Sequence, residues 1–378
     1  MIDDEAPVFP PARPIKGRGA AERMAHRFAR DARAPFDDGW GGPQAQEGAE
    51  PAEPTAPPRT RVVWEDARSA LCRNDSPDIF FEQSVNPYRG CEHGCVYCYA
   101  RPTHSYLGLS PGLDFETHII AKRNIAALLR AELARPGHRP SVVNIGSATD
   151  CYQPVERELR LTRGLIEVMQ EARHPFSLIT KSSGVERDLD LLAPLAQARL
   201  AAAYVTITTL DAHLARVLEP RAASPERRLR TIRALADAGV PVGVSVAPQI
   251  PFITEDMEQV LAAAREAGAR SAFYTVIRLP WELNALMRQW LALHYPERAE
   301  RVIARIQDLH GVDAPARAAG KSYDASHASR MKGQGLWADL LRQRFEKTCA
   351  RLGLNRERTA LDLTQFRPAL ARGQGVLF

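Results

Sequence analysis

The 378-residue sequence predicts an α/β fold: a barrel of repeated strand–helix units, preceded by a flexible arm and followed by a small helical cap. Three observations predict it. From Phe81 to Arg278, short β-branched or apolar runs alternate with helical stretches, the pattern of a parallel sheet with crossover helices. Residues 1–60 carry Pro-, Ala- and Gly-rich tracts with little apolar periodicity, clearest from Pro51 to Pro58. Beyond residue 294 only helical segments remain. The expected division is an arm over 1–60, a core over 75–294 and a helical extension over 295–378.

Taken in order, the arm holds a locally basic patch, Lys16 to Ala20 and Arg23 to Arg33, in a composition that favours disorder or loose docking. Six strands are expected: 81–87, 141–147, 176–181, 202–209, 241–247 and 272–278. Helices are expected between them at 158–172, 187–199, 225–238 and 255–267, with Leu, Ile and Met at helical spacing in the first. Gly239 and Gly268 fall where helix C-caps belong. The extension supplies helices at 296–310 and 336–352 around a Gly/Lys/Ser-rich piece at 320–324. Its stretch Arg330-Met-Lys-Gly-Gln-Gly335 resembles a backbone-exposing loop that could approach phosphate, but the pattern is weak and a plain turn is the better expectation.

No run of 18 apolar residues occurs, and the N-terminus is acidic where a signal peptide is basic and then apolar, so a cytoplasmic, non-membrane protein is expected. Net charge is +5, and it is unevenly placed: residues 301–378 hold 14 Lys/Arg against 7 Asp/Glu. A basic segment of that kind can attract nucleic-acid phosphates, although a solvated face explains it equally well.

In a barrel of this kind the site lies at the C-terminal ends of the strands. There the sequence places Cys91, Cys95 and Cys98 on one loop after the first strand. A C-x3-C-x2-C loop can wrap three corners of a [4Fe–4S] cluster and leave the fourth iron without a protein ligand. Gly90 and Gly94 are expected to keep Cβ atoms away from the cube. A structural zinc site would need His93 or a distant cysteine as its fourth ligand. Disulfides are disfavoured by six Cys in so long a chain. His93 and His104, which flank the loop, lack metal-ligand spacing with a partner and are expected to serve as hydrogen-bonding residues.

With Tyr97 as the aromatic before Cys98, the loop resembles the signature of the radical S-adenosylmethionine (radical SAM) enzymes. Further motifs, Asn86-Pro-Tyr-Arg-Gly-Cys91, Thr149-Asp-Cys-Tyr-Gln-Pro-Val-Glu156, Ile179-Thr-Lys181 and Leu218-Glu-Pro-Arg221, resemble its spore photoproduct lyase-like branch, also called DNA repair photolyase-like, over residues 75 to 290. The resemblance implies an incomplete (β/α)6 TIM-type barrel, a [4Fe–4S] cluster and S-adenosylmethionine as cofactors, and an external electron donor of flavodoxin or ferredoxin type. It implies a 5′-deoxyadenosyl radical that abstracts hydrogen, with DNA or RNA as candidate substrate. Alternatives are radical modification of a protein or small molecule, and a non-catalytic metal-binding nucleic-acid protein.

The resemblance also assigns residues. Lys181 is expected to pair with the methionyl carboxylate, the Gly146–Asp150 segment with Ser147 and Asp150 to meet the methionyl amino group, and the Tyr97 backbone to meet adenine. Thr206 or Thr208, with Thr208 preferred, is expected to contact the cofactor through its hydroxyl. Glu156 and Arg221 are expected to pair or to bind the ribose. Tyr99 resembles a tyrosine on the radical-quenching path, or packs on the loop. The lyase-like branch carries a hydrogen-donating cysteine where this chain has Ser147, so Cys151 is the nearest substitute, against the plainer reading of an apolar filler. Cys72 and Cys349 are expected only to pack.

Overall fold

The computed structural model describes residues 13–29, 58–357 and 359–368. Ten strands run in chain order: β1 (Arg61–Glu65), β2 (Leu71–Arg73), β3 (Gln83–Val85), β4 (Tyr88–Arg89), β5 (His118–Lys122), β6 (Val143–Ile145), β7 (Phe176–Thr180), β8 (Ala201–Thr206), β9 (Val242–Gln249) and β10 (Ser271–Val276). Seven form one sheet in the order β10-β9-β8-β7-β6-β3-β2. Strands β3 and β6 to β10 are parallel and correspond to the six expected from sequence; β2 pairs antiparallel with β3 at the edge. The sheet is therefore a partial barrel with an open side between β10 and β2.

The crossover helices lie at Leu161–Glu171, Leu189–Gln197, Pro225–Asp237 and Met257–Glu266. Each shows why it forms where it does. Ser224 caps Pro225–Asp237 by accepting from Arg227 N, with Pro225 in the first turn, and Gly239 follows at φ +78°. Leu165, Ile166, Val168 and Met169 recur on one face and are fully buried against the sheet with Leu192, Ile232, Leu235, Val260 and Leu261. Each such side chain contributes about 1.5–3 kcal/mol of burial. Ala201 and Ala203 of β8 join the same core layer.

Two regions depart from expectation. Between β3 and β6 the chain makes a long excursion into a second sheet, β1-β5-β4, where β1 runs parallel and β4 antiparallel to β5. Of the arm, residues 13–29 are docked on the barrel: Ala20 is 1% exposed, and Arg27 binds both oxygens of Glu282 at 3.0 and 2.8 Å. Residues 1–12 and 30–57 lie outside the described residues. The extension forms Ala299–Leu309 and Gly335–Leu352, and the latter buries Phe345 and Cys349 in the barrel's main core cluster. Cys72, expected to pack, is exposed on β2.

The open side is covered by two loops. Arg330 grips Asp78 through two hydrogen bonds of 2.6 and 2.8 Å, joining loop 326–334 to the loop before β3. Val276 N donates to Met331 O at 3.0 Å, which ties the same loop to β10. Phe80, on the other loop, packs against Tyr204 and Phe273 of the sheet at centroid distances of 6.0 and 5.8 Å. Thus the Arg330–Lys332 stretch, expected as a plain turn in preference to a phosphate-approaching loop, is used internally: Lys332 Nζ donates to Tyr274 O at 2.8 Å.

Candidate functional site

The cysteine loop follows β4 and sits across the C-terminal ends of the parallel strands, held from several directions. Val96 N donates to Leu218 O at 3.0 Å, and Arg221 N to His93 O at 3.2 Å. Gln153 bridges two turns of the loop, accepting from Glu92 N at 2.9 Å and donating to Gly90 O at 3.1 Å. Arg101, fully buried and ion-paired with Glu116, donates to Cys95 O at 2.8 Å and Gly94 O at 3.0 Å. Asn86 accepts from Ala148 N at 2.8 Å, and Thr149 donates to Tyr88 O at 3.1 Å. The motifs singled out in sequence are thus largely the clamps of this loop.

Its glycines serve a different contact from the one expected. At Gly94 (φ +68°) a Cβ would lie 2.7 Å from Glu116 Oε2, and at Gly90 (φ +80°) 2.9 Å from Phe115 O; both press on protein behind the loop and not on a cofactor. The arm supplies the same closeness from outside, since a Cβ on Gly19 would lie 1.8 Å from Gly94 O. Gly19 N and Ala20 N both donate to Glu116 at 2.9 Å.

All three cysteines line one cavity of about 350 Å³, together with His93, Tyr97, Tyr99, Ser147, Asp150, Lys181, Thr206 and Arg278. Burial pushes the Cys91 thiol well above its ordinary range and the Cys95 thiol up to about 12, so a bound metal must displace their protons. Among the described residues, no group of three His, Cys, Asp or Glu side chains gathers tightly enough to hold one metal ion. A four-iron cube places each thiolate on a separate iron and suits a wider spread.

Lys181 follows β7. Burial would favour its neutral form, but Cys95, Glu219 and Asp150 outweigh it and raise its pKa, keeping the ammonium charged. Among the described residues that ammonium has no hydrogen-bond acceptor. Asp150 is likewise disfavoured as an anion by burial, yet His93, Thr180 and Lys181 N hold it well below the usual carboxylate range. The contacts are Thr180 Oγ1 and Lys181 N, both donating at 2.6 Å, and His93 Nδ1, 3.2 Å away without hydrogen-bond alignment. Ser147 accepts from Asn86 Nδ2 at 3.2 Å, and the Tyr99 phenol donates to Ser147 O while Arg278 stacks on its ring at 4.0 Å.

Four expected site residues stand elsewhere. Thr208 does not line the cavity; its hydroxyl is tied to Glu219 at 2.6 Å and to Ala247 O at 3.0 Å, and Thr206 is the threonine that faces inward. Glu156 accepts from Tyr88 OH, Thr162 N and Arg187, which leaves it no part in binding a cofactor. Arg221 pairs with Glu92 at 3.2 Å, not with Glu156, behind the loop. Cys151 is fully buried in the core, its thiol directed at Ile179 O at 3.7 Å, so it cannot donate hydrogen into the cavity. His104 meets expectation, bonding His118 O at 3.0 Å and edging Phe115.

Sequence reasoning missed the buried group that fixes Tyr97. Glu219 accepts from Tyr97 OH, Thr208 and Arg228, both ion-pair partners being essentially inaccessible. The signal was present in Leu218-Glu-Pro-Arg221, where the glutamate and not the arginine reaches the site.

The donor set fits what the cysteine spacing implies: three thiols, a buried ammonium to meet a carboxylate, and a polar strand end beside an aromatic wall. Comparison with known proteins decides the family, because the profile of the radical SAM superfamily matches residues 85–267. The chain belongs to the radical SAM superfamily. An uncharacterized protein of Mycobacterium tuberculosis is 37% identical over 233 residues, covering 61% of this chain and 67% of that one. One of Methanocaldococcus jannaschii is 26% identical over 216 residues, covering 57% and 77%. Among solved structures, a spore photoproduct lyase variant aligns over 78% of this chain and 80% of its own with a TM-score of 0.50 and 16% identity, a likeness of fold. No helix among the described residues is long and apolar enough to cross a membrane.

Proposed function

We propose that this radical SAM protein is a hydrogen-abstracting enzyme in which Cys91, Cys95 and Cys98 hold a [4Fe–4S] cluster and the adjoining cavity takes S-adenosylmethionine. The observation that carries this reading is that the three thiols and the Lys181 ammonium, which faces the Tyr97 ring at 5.8 Å and has no hydrogen-bond acceptor among the described residues, open on one cavity at the strand ends. With Cys91, Cys95 and Cys98 holding the cluster and Lys181 the cofactor, the pair would supply reductive cleavage of a cofactor C–S bond as the source of hydrogen-abstracting power, the electron coming from a flavodoxin- or ferredoxin-type donor.

The chain's own residues have separable tasks. Lys181 is the point charge for the methionyl carboxylate. Asp150, kept anionic, pins the Lys181 backbone and lends negative charge near the methionyl ammonium; Ser147 lies at the same strand end. The Tyr97 backbone is suited to adenine, and Glu219 and Thr208 position its ring. Phe80, Tyr99 and Phe273 give the cavity an apolar side, and since Phe80 and Tyr99 are 59% and 43% exposed, a bound substrate would complete the exclusion of water there. Since Cys151 is sealed in the core, we assign Tyr99 the return of a hydrogen atom to a product radical, the phenoxyl radical left behind being restored by an electron from the external donor and a proton. Anaerobic reconstitution tests the reading: one four-iron cluster, and 5′-deoxyadenosine formed on dithionite reduction. A cluster that never cleaves the cofactor would refute it.

For the substrate we propose nucleic acid in a repair-lyase-like reaction. Arg301 stacks on Phe252 at 4.0 Å and Arg305 on Trp337 at 4.0 Å, a surface of interleaved cations and rings of the sort that takes up backbone and bases. Affinity for single-stranded DNA should then fall with salt, and Arg301→Gln with Arg305→Gln should lower the log–log slope by about 0.7 per lost phosphate contact. Salt-insensitive binding would favour a small-molecule or protein substrate, a reading that the internal use of Arg330 and Lys332 also supports.

A further inference from the structure

A second cavity, about 500 Å³, lies away from the cluster loop, between edge strand β2 and the end of helix Ile125–Leu133. It reaches the N-terminal ends of β3 and β6, because Gln83 opens β3 and Gly137 and His138 precede β6. Arg68, Arg73 and Arg135 line it. Among the described residues none of the three forms an ion pair, whereas nearby arginines do: Arg123 with Asp66, and Arg130 with Glu171. Three guanidinium groups around one hollow repel each other, and the carboxylate in the wall does not offset them all. That carboxylate, Glu132, is buried and spends its oxygens on Ala70 N at 3.0 Å and Leu71 N at 2.8 Å, which fixes the turn carrying Arg68 and Ser69. Arg73 is placed by register opposite Gln83.

A second observation points to a ligand. Gln83 is 8% exposed, lines the cavity, and has a buried amide oxygen without a partner. An unpaired buried acceptor costs about 1–3 kcal/mol and calls for a donor from outside. Guanidinium forks match phosphate oxygens in pairs, and the amide oxygen matches a hydroxyl or N–H on the same molecule. His138 adds no charge: its ring meets the buried His174 ring at 3.0 Å between Nε2 atoms, and burial and then Arg73 lower its pKa.

We propose that this hollow is a binding site for a phosphate-bearing ligand, a phosphomonoester or a phosphodiester that also carries a hydroxyl or N–H donor, distinct from the cofactor cavity. The test uses the full-length, cluster-loaded protein with two probes, inorganic pyrophosphate and a short single-stranded oligonucleotide, each titrated calorimetrically at low salt. Saturable binding of pyrophosphate that the oligonucleotide does not displace assigns a small phosphorylated ligand; displacement assigns a polymer backbone. In either case Arg73→Gln with Arg135→Gln should weaken binding by about tenfold or more, the worth of one charge-assisted bond. The same variant should keep its unfolding midpoint and its rate of cofactor cleavage, which separates this site from the one proposed for catalysis. Absence of saturable binding by both probes, or binding unchanged in the double variant, would overturn the assignment.

Discussion

Replacing Glu219 by Ala removes the anion against which Arg228 is buried, and the structure sets the size of the effect. The two side chains are 0% and 1% exposed. Arg228 cannot swing to water, because Nε donates to Ala223 O at 2.7 Å and Nη1 to Thr206 O at 3.0 Å. The charge would stay in the core unpaired, at a cost of about 3–5 kcal/mol, a large part of the ~5–15 kcal/mol that holds a domain folded. The Tyr97 phenol and the Thr208 hydroxyl would lose their acceptor as well, so the cysteine loop should loosen and bind iron less completely. Equilibrium urea unfolding of cluster-free protein measures the cost. Glu171→Ala is the control: its partner Arg130 and Glu171 itself are 39% and 44% exposed, and an exposed pair contributes under about 1 kcal/mol. Combining Glu219→Gln with Arg228→Met should recover most of the loss, since the Arg228 charge goes with its partner and Lys181 keeps Asp150 nearby. A Glu219→Ala cost no larger than the control, or a double variant as unstable as the sum of its singles, would refute this account.

Lys181→Ala should weaken S-adenosylmethionine binding by about 1.5–3 kcal/mol, read by equilibrium dialysis against cluster-loaded protein, with iron content unchanged. Cys91, Cys95 or Cys98 changed to Ala should each abolish the cluster by iron analysis, while Cys151→Ala, in the core behind β6, should keep it and cost only packing stability. Asp150 and Glu219 both have folded-state pKa values below their ordinary 3.8 and 4.5. Such groups contribute stability above those values and lose it as pH falls through the lowered ones, so acid unfolding should set in below about pH 4.5 and be shallower in Asp150→Asn.

Much of the barrel was legible because its signals are local. Phe176–Thr180 and Ala201–Thr206 are apolar runs bounded by helices, and Gly239 and Gly268 mark helix ends as their positive φ requires. The second sheet was not legible: β4 has two residues and takes its meaning from β5, about thirty residues on, so no periodicity could show it. Within the site, strand-end position brings Lys181 and Asp150 to the cavity that the cysteines line, because residues that end parallel strands share one face. The same reasoning failed for Thr208, Glu156 and Arg221, where burial and ion pairing choose the partner. A carboxylate such as Glu156 is satisfied by Arg187, thirty-one residues away, and nothing in the local sequence distinguishes that from contact with a ribose.

The two appendages outside the family match are built into the site, and this changes how it can be probed. Residues 18–20 lie against Gly94 and Glu116 behind the cluster loop. The C-terminal extension covers the barrel's open side through Arg330–Asp78 and Met331, and Phe345 and Cys349 are part of the main core cluster. Cutting the chain after residue 300 would therefore expose β10 and unseat Phe80 along with removing basic charge, and lost nucleic-acid binding in that variant would report unfolding as readily as lost phosphate contacts. Arg301 and Arg305 avoid this ambiguity. Arg301 stacks on Phe252 of the loop after β9 and Arg305, which also pairs with Asp308 at 3.2 Å, on Trp337, so changing them to Gln removes charge while the Arg330 clamp and the buried face of the last helix stay in place. A flattened salt dependence with an unchanged unfolding midpoint then reports lost phosphate contacts and not unfolding.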